Sequence, residues 1–193
     1  MKFSYNLLLG VFLILSSSFI TVEATHLLSS ESSLKVTGTS TLHEWVIELE
    51  EMNCKADIVV DAGTLSMSQL SFEAVSESFK SEHGRMMNNK VYNALKSDDF
   101  EKVTFTLTTP FTTSISNDQF NGVIKGNLFI AGVKKEIQVP VSGNIIGNTV
   151  LLKGEKAIVM SEYGMEPPTA LMGTITTGDE VTVHYNLNLK TIH

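Results

Sequence analysis

Between Val181 and Lys190 the chain reads Val-Thr-Val-His-Tyr-Asn-Leu-Asn-Leu-Lys, with apolar side chains at every second position. A period of two places those residues on one face of a strand and predicts a sheet with one buried side. Val103–Leu107 repeats the alternation, as does Ile137–Val141, where Pro140 has no backbone N–H and predicts an edge or a bulge. Trp45–Leu49, Ala56–Val60, Leu70–Val75, Val123–Ile130 and Leu151–Met160 carry strand-type residues in a less regular pattern. Gly147-Asn148 reads as a tight hairpin turn, Thr177-Gly178-Asp179 introduces the last strand, and Asn117-Asp118 and Gly132 mark further turns.

Some eight or nine short strands without alternating helices predict an all-β sandwich or barrel, and closure into a barrel would remove exposed edges. One segment has a different period. From Glu82 to Lys96, Met87, Val91, Ala94 and Leu95 recur at helical spacing, leaving Arg85, Asn89 and Asn93 off the stripe. This predicts one short amphipathic helix packed on the barrel or over one end. Its apolar stripe serves either core packing or a ligand.

The N-terminus has a separate character. Met1-Lys2, the apolar run Leu7–Ile20 with Ser16, Ser17 and Ser18 inside it, and Val22-Glu23-Ala24 have the three-part layout of a secretory signal. The run is short for a membrane span, so cleavage after Ala24 is expected rather than an uncleaved anchor. No Cys immediately follows the run, and a lipid-anchored form is not expected. Residues 25–193 then suit one domain, exported to a periplasm or secreted.

The net charge is −7 and Arg85 is the only arginine, which argues against a nucleic-acid partner. Cys54 is the single cysteine, so no internal disulfide is available and the fold must rest on its core. Cys54 is expected to be buried, with an intermolecular disulfide as the alternative. An aromatic content of 8% does not suit the lipid-facing girdles of a membrane barrel.

Catalytic motifs are absent: there is no Gly-x-Ser-x-Gly, no His-Glu-x-x-His, no phosphate loop and no dinucleotide fingerprint. Of five histidines, His26 and His193 lie at the ends of the mature chain and are expected to be disordered and solvated. His184 falls on the polar phase of the last strand. His43 and His83 remain as candidate functional imidazoles. His43 follows Ser40 and Thr41, but neighbours along a strand do not present a hydroxyl and a base to one substrate atom. Local backbone hydrogen bonding suits that segment better. No spacing supports a metal site.

Several segments carry a resemblance in order: Gly38-Thr39-Ser40-Thr41-Leu42-His43-Glu44-Trp45; Met87-Asn88 with Ala94-Leu95-Lys96; Gly126–Lys135; Ser161-Glu162-Tyr163-Gly164-Met165-Glu166-Pro167-Pro168; and Gly178-Asp179-Glu180-Val181. Together, from Leu34 to Leu189, the chain resembles the YceI-like family of exported lipid-binding barrels. The resemblance implies an extended, lipocalin-like antiparallel barrel with a long apolar interior, in which some members hold polyisoprenoid chains. Many members open on a His-Ser-x-Val strand, where this chain has Ser32-Ser33-Leu34-Lys35-Val36.

A barrel of about eight strands either fills itself or holds one small ligand. Inward candidates are Met67, Phe72, Val103, Phe105, Phe129, Met160 and Met165, with Trp45 as core anchor or ligand contact and Met87 on the helix stripe. The expected function is a non-catalytic carrier of an apolar chain, isoprenoid or quinone-like. The alternatives are an interaction module with a packed barrel and an enzyme acting on a hydrophobic substrate. A charged head group would find Arg85, with His43 or His83 beside it, unless Arg85 is an ordinary solvated residue. A homodimer is left open, and no cofactor is expected.

Overall fold

In a computed structural model the chain is described from residue 24 to residue 192. Residues 1–23 of the expected signal sequence and His193 lie outside the described residues. Thirteen strand segments form the sheet: β1 (Ala24–Leu28), β2 (Ser33–Ser40), β3 (Glu44–Leu49), β4 (Met52–Asp61), β5 (Thr64–Val75), β6 (Phe79–Ser81), β7 (Lys102–Leu107), β8 (Phe111–Ser114), β9 (Gln119–Ile130), β10 (Val133–Ile146), β11 (Thr149–Val159), β12 (Thr169–Ala170) and β13 (Ile175–Thr191). Among the described residues one α-helix, α1 (Arg85–Leu95), stands between β6 and β7.

The registers reduce these segments to a simple path. β1 and β2 lie in turn along the same edge of β13; β4 pairs β1 while β3 pairs β2; β5 pairs β4 while β6 pairs β3; and β7 and β8 share the far edge of β5. Each couple is one long strand with a bend. The path is then an up-and-down meander of eight antiparallel strands, closed where β1 and β2 meet β13. The expected all-β barrel with one short helix is the fold.

The bends are hydrogen-bonded rather than left open. Where β3 passes into β4, the Ser78 hydroxyl donates to the Val75 carbonyl at 2.8 Å and accepts from the Glu51 N–H at 3.1 Å. Ser76 donates to the Phe100 carbonyl at 2.8 Å. These buried serines satisfy backbone groups that the interrupted ladder would strand.

Two features depart from the sequence reading. His26 is buried, not solvated: it sits in β1, with Nδ1 2.9 Å from the Ala24 carbonyl and Nε2 3.0 Å from the Thr191 hydroxyl. Closure explains this, because the two chain ends are adjacent strands. Thr177-Gly178-Asp179 does not precede the last strand but lies within it, at an irregularity in the β13–β2 register between Thr177 and Val181.

The interior is divided along the barrel axis. Towards the tight turns at Ala62-Gly63, Asn117-Asp118 and Gly147-Asn148, the core is solid: Ile58, Leu65, Met67, Val150 and Leu189 are fully buried, and Phe111 and Phe120 pack beside them. Cys54 belongs to this core, so the intermolecular disulfide has no exposed sulfur to use. Towards the α1 end the rings lie flat on the wall. A Cβ on Gly38 would stand 2.2 Å from the Trp45 ring, one on Gly126 2.3 Å from Phe105, and one on Gly154 2.3 Å from the Tyr185 hydroxyl. Glycine on one strand thus accepts an aromatic ring from a nearby strand, as Gly122 does for Phe111 and Gly143 for Phe120 in the packed half.

Two outcomes follow from this packing. Gly126→Ala forces a methyl into the Phe105 ring and the Thr106 carbonyl, 2.6 Å away, and is expected to cost about 1–3 kcal/mol in urea denaturation. Burial pushes the Cys54 thiol up to about 12. The unfolded thiol ionises near pH 9 while the folded one keeps its proton, so stability falls as pH rises from about 9 to 12. The slope contributed is up to about 1.4 kcal/mol per pH unit, and the difference between wild type and Cys54→Ala across that range measures it.

Candidate functional site

Strand parity places a set of side chains inside the upper half of the barrel. On β13 the inward positions are Val181, Val183, Tyr185 and Leu187; on β9 they are Ile124, Gly126, Leu128 and Ile130; on β10, Ile137, Val139 and Val141. Helix α1 closes the end of this space. Met87, Val91, Ala94 and Leu95, the stripe read from the sequence, face into it. The result is a cavity of about 350 Å³ with a lining almost wholly of carbon. That is within the size range of small-molecule sites.

α1 is held at several points. The Ser81 N–H donates to Asn88 Oδ1 at 2.7 Å, and Lys80 Nζ donates to the Tyr92 hydroxyl at 2.6 Å. Lys90 Nζ donates to the Thr169 carbonyl, which ties the helix to the segment following β11. At its C-terminus Lys96 takes a left-handed conformation (φ 54°), and the Ser97 N–H returns to the Tyr92 carbonyl. No residue of α1 is fully buried, in keeping with a helix laid over a hollow rather than a core.

The wall between β10 and β11 is incomplete. These strands pair only from Ser142–Lys153 to Ile146–Thr149. Above that point β10 remains paired with β9, and β11 with β13, but not with each other. The edge predicted at Pro140 is this one. Pro140 has no N–H to offer, and its carbonyl is occupied by the Tyr185 hydroxyl, reaching across Gly154. Burial raises the Tyr185 phenol above its ordinary range, so it remains a donor. Higher up, the seam is spanned by Lys135 Nζ and Glu162 at 2.8 Å, beside the turn Met160–Tyr163. A shallow hollow lies on the outside of the seam, lined by Pro140, Ser142, Gly154 and Lys156 among others.

Most of the residues read as a site from sequence come together in the cavity: Trp45, Phe72, Met87, Val103, Phe105, Met160 and Met165 all line it. Trp45 also serves the fold, lying on Gly38 with its Nε1 donating to the Thr39 carbonyl at 3.0 Å. Met67 is in the packed half instead. Phe129 is on the outer face, edge-on to Phe100 with centroids 5.7 Å apart, because the inward positions of β9 are the even-numbered ones. Arg85 and His83 are exposed and outside the lining. His43 is at the rim, its ring 5.7 Å from that of His83 and its Nδ1 2.6 Å from the Glu44 carbonyl. His184 lies on the outer face, beside Thr37 at 2.9 Å. Sequence reasoning passed over Tyr185 and Lys156. Both were legible as inward-phase positions, Tyr185 between Val183 and Leu187, and Lys156 between Gly154 and Ile158.

Comparison with known proteins agrees with this geometry. No curated protein matches the chain. Among solved structures, BcnA of Burkholderia cenocepacia is 16% identical, with a TM-score of 0.63 over 82% of this chain and 96% of its own. A polyisoprenoid binding domain from Saccharophagus degradans, implicated in plant cell wall breakdown, is 12% identical, with a TM-score of 0.64 over 89% of this chain and 100% of its own. The Campylobacter jejuni YceI protein is 18% identical, with a TM-score of 0.54 over 75% of this chain and 83% of its own. At these identities the likeness is one of fold. The sequence itself matches the YceI-like domain over residues 14–189, nearly its whole length, and the chain belongs to that family.

Proposed function

We propose that this protein is exported and carries a long apolar molecule, an isoprenoid or quinone-like chain, without altering it chemically. The observation that carries this reading is the carbon-lined cavity of about 350 Å³ beneath α1, in a barrel whose other half is packed solid. An unfilled apolar cavity costs stability in proportion to its size. A chain in that space would recover the lost contacts.

Affinity would come from burial, at roughly 0.8 kcal/mol per methylene. About ten buried methylenes would contribute roughly 8 kcal/mol before ordering costs are subtracted. Such binding is spread over many positions and needs no polar key. Leu42, Met86, Leu171 and Met172 are exposed around the same end of the barrel and give the rim an apolar character suited to passing on such a molecule. The Saccharophagus degradans domain, described as polyisoprenoid binding, supports the choice of ligand class. Export is supported by the three-part layout of residues 1–24. The packed-module alternative would require a core without this hollow.

Native mass spectrometry of the purified protein, followed by solvent extraction, tests carriage. We expect an apolar molecule at close to one per barrel. A clean protein mass, unchanged after incubation with isoprenoid lipids and quinones, would return the weight to the packed interaction module. For export, N-terminal sequencing of protein recovered from expressing cells is expected to begin at Thr25, and a start at Met1 would count against it.

A further inference from the structure

Lys156 is the one charged residue on the inward phase of β11, following Leu152 and Gly154 and preceding Ile158. Its side chain lines the carbon cavity on one side and the hollow over the β10–β11 seam on the other. It is partly buried, and it makes no hydrogen bond or ion pair with any described residue. The nearest carboxylate in sequence, Glu155, lies on the opposite phase and faces His184 at 3.4 Å; it shares the lining of the outer hollow but does not pair with Lys156. Lys90, the other amine in the lining, is held at the rim by the Thr169 carbonyl.

A partly exposed ammonium beside apolar walls, hydrogen-bonded to no described residue, keeps its donors free for an anionic group. The seam is where such a group has room. Pro140 and Tyr185 end the β10–β11 ladder there, so a polar group could stand at the gap without displacing strand hydrogen bonds. A lysine stem along the cavity wall with its ammonium at the gap is the usual compromise of an amphipathic side chain.

We infer that the ligand is an amphiphile with an anionic head, phosphate or carboxylate, and that Lys156 binds this head at the β10–β11 seam while the chain lies in the cavity. The inference rests on the apolar-carrier reading and adds to it a charge, a position and an orientation. It locates the head midway along the wall, away from the exposed Arg85 and His83 at the helix end.

The test compares three probes of equal chain length, farnesyl phosphate, farnesoic acid and farnesol, on lipid-stripped protein. Fluorescence of Trp45, the only tryptophan and a lining residue, reports binding. Wild type is expected to bind the two anions at least about tenfold more tightly than farnesol at low salt. Preference for one anion over the other identifies the head as phosphate or carboxylate. Lys156→Met is expected to lose the anion preference and keep its farnesol affinity, which shows the cavity intact, while Lys156→Arg keeps the preference. Retained preference in Lys156→Met, or its loss in Lys90→Met instead, would overturn the assignment to the seam. Equal affinity for all three probes in wild type would remove the anionic head and leave the apolar carrier standing. No binding of any probe would remove both.

Discussion

β13 is hydrogen-bonded to β11 along one edge and to β1 and β2 along the other, so the first and last strands of the domain share a single ladder. Its length allows this: seventeen residues reach from the helix end to the tight-turn end. Everything else in the barrel depends on that closure. Without it the alternation along β13 would expose one flank of Leu187 and Leu189, and His26 would not meet Thr191. The contacts join residues more than a hundred and fifty positions apart, a loop-closure cost that must be met by burial along the whole strand.

Once the barrel is closed, its circumference is set and the side chains decide how much of the lumen is filled. At the tight-turn end, branched aliphatic residues occupy the axis and the core is continuous. At the helix end a cavity of about 350 Å³ remains, with the rings of Trp45, Phe105 and Tyr185 seated on glycines of its wall. The packed core and the cavity are thereby assigned to different halves of one barrel. The solid half holds the strands in register, and the hollow half can exchange its contents without unzipping the sheet. α1 covers the hollow through a few polar ties and through the partly buried Val91 and Leu95, which pack against the core.

The break between β10 and β11 is a local consequence of one residue type. Pro140 cannot donate, Tyr185 takes its carbonyl, and the two strands separate above Ser142. A closed barrel has no edges, but this one has regained a short edge in its wall beside the cavity. The turn Met160–Tyr163 and the Lys135–Glu162 pair span the upper part, leaving Lys156 at the middle.

Much of this was legible in the chain itself. The alternation from Val181 to Lys190, the Gly147-Asn148 turn, the edge at Pro140 and the Met87–Leu95 stripe all appear in the structure where the pattern placed them. These features are local: a side chain's phase along a strand or helix follows from backbone geometry within a few residues. The misplacements share a different cause. His26 looked like a free end because its partner, Thr191, is at the other terminus; Phe129 looked like core because a single aromatic residue does not declare its phase. Lys156 stood in phase with Leu152 and Ile158, but nothing near it in sequence said that β10 would leave it uncovered. The sequence by itself determined an all-β domain, its strand faces, one amphipathic helix and an apolar interior, since each depends on residues close along the chain. Only the tertiary structure decided which half of that interior is empty and where its wall opens, because both depend on rings, glycines and one proline brought together from distant strands.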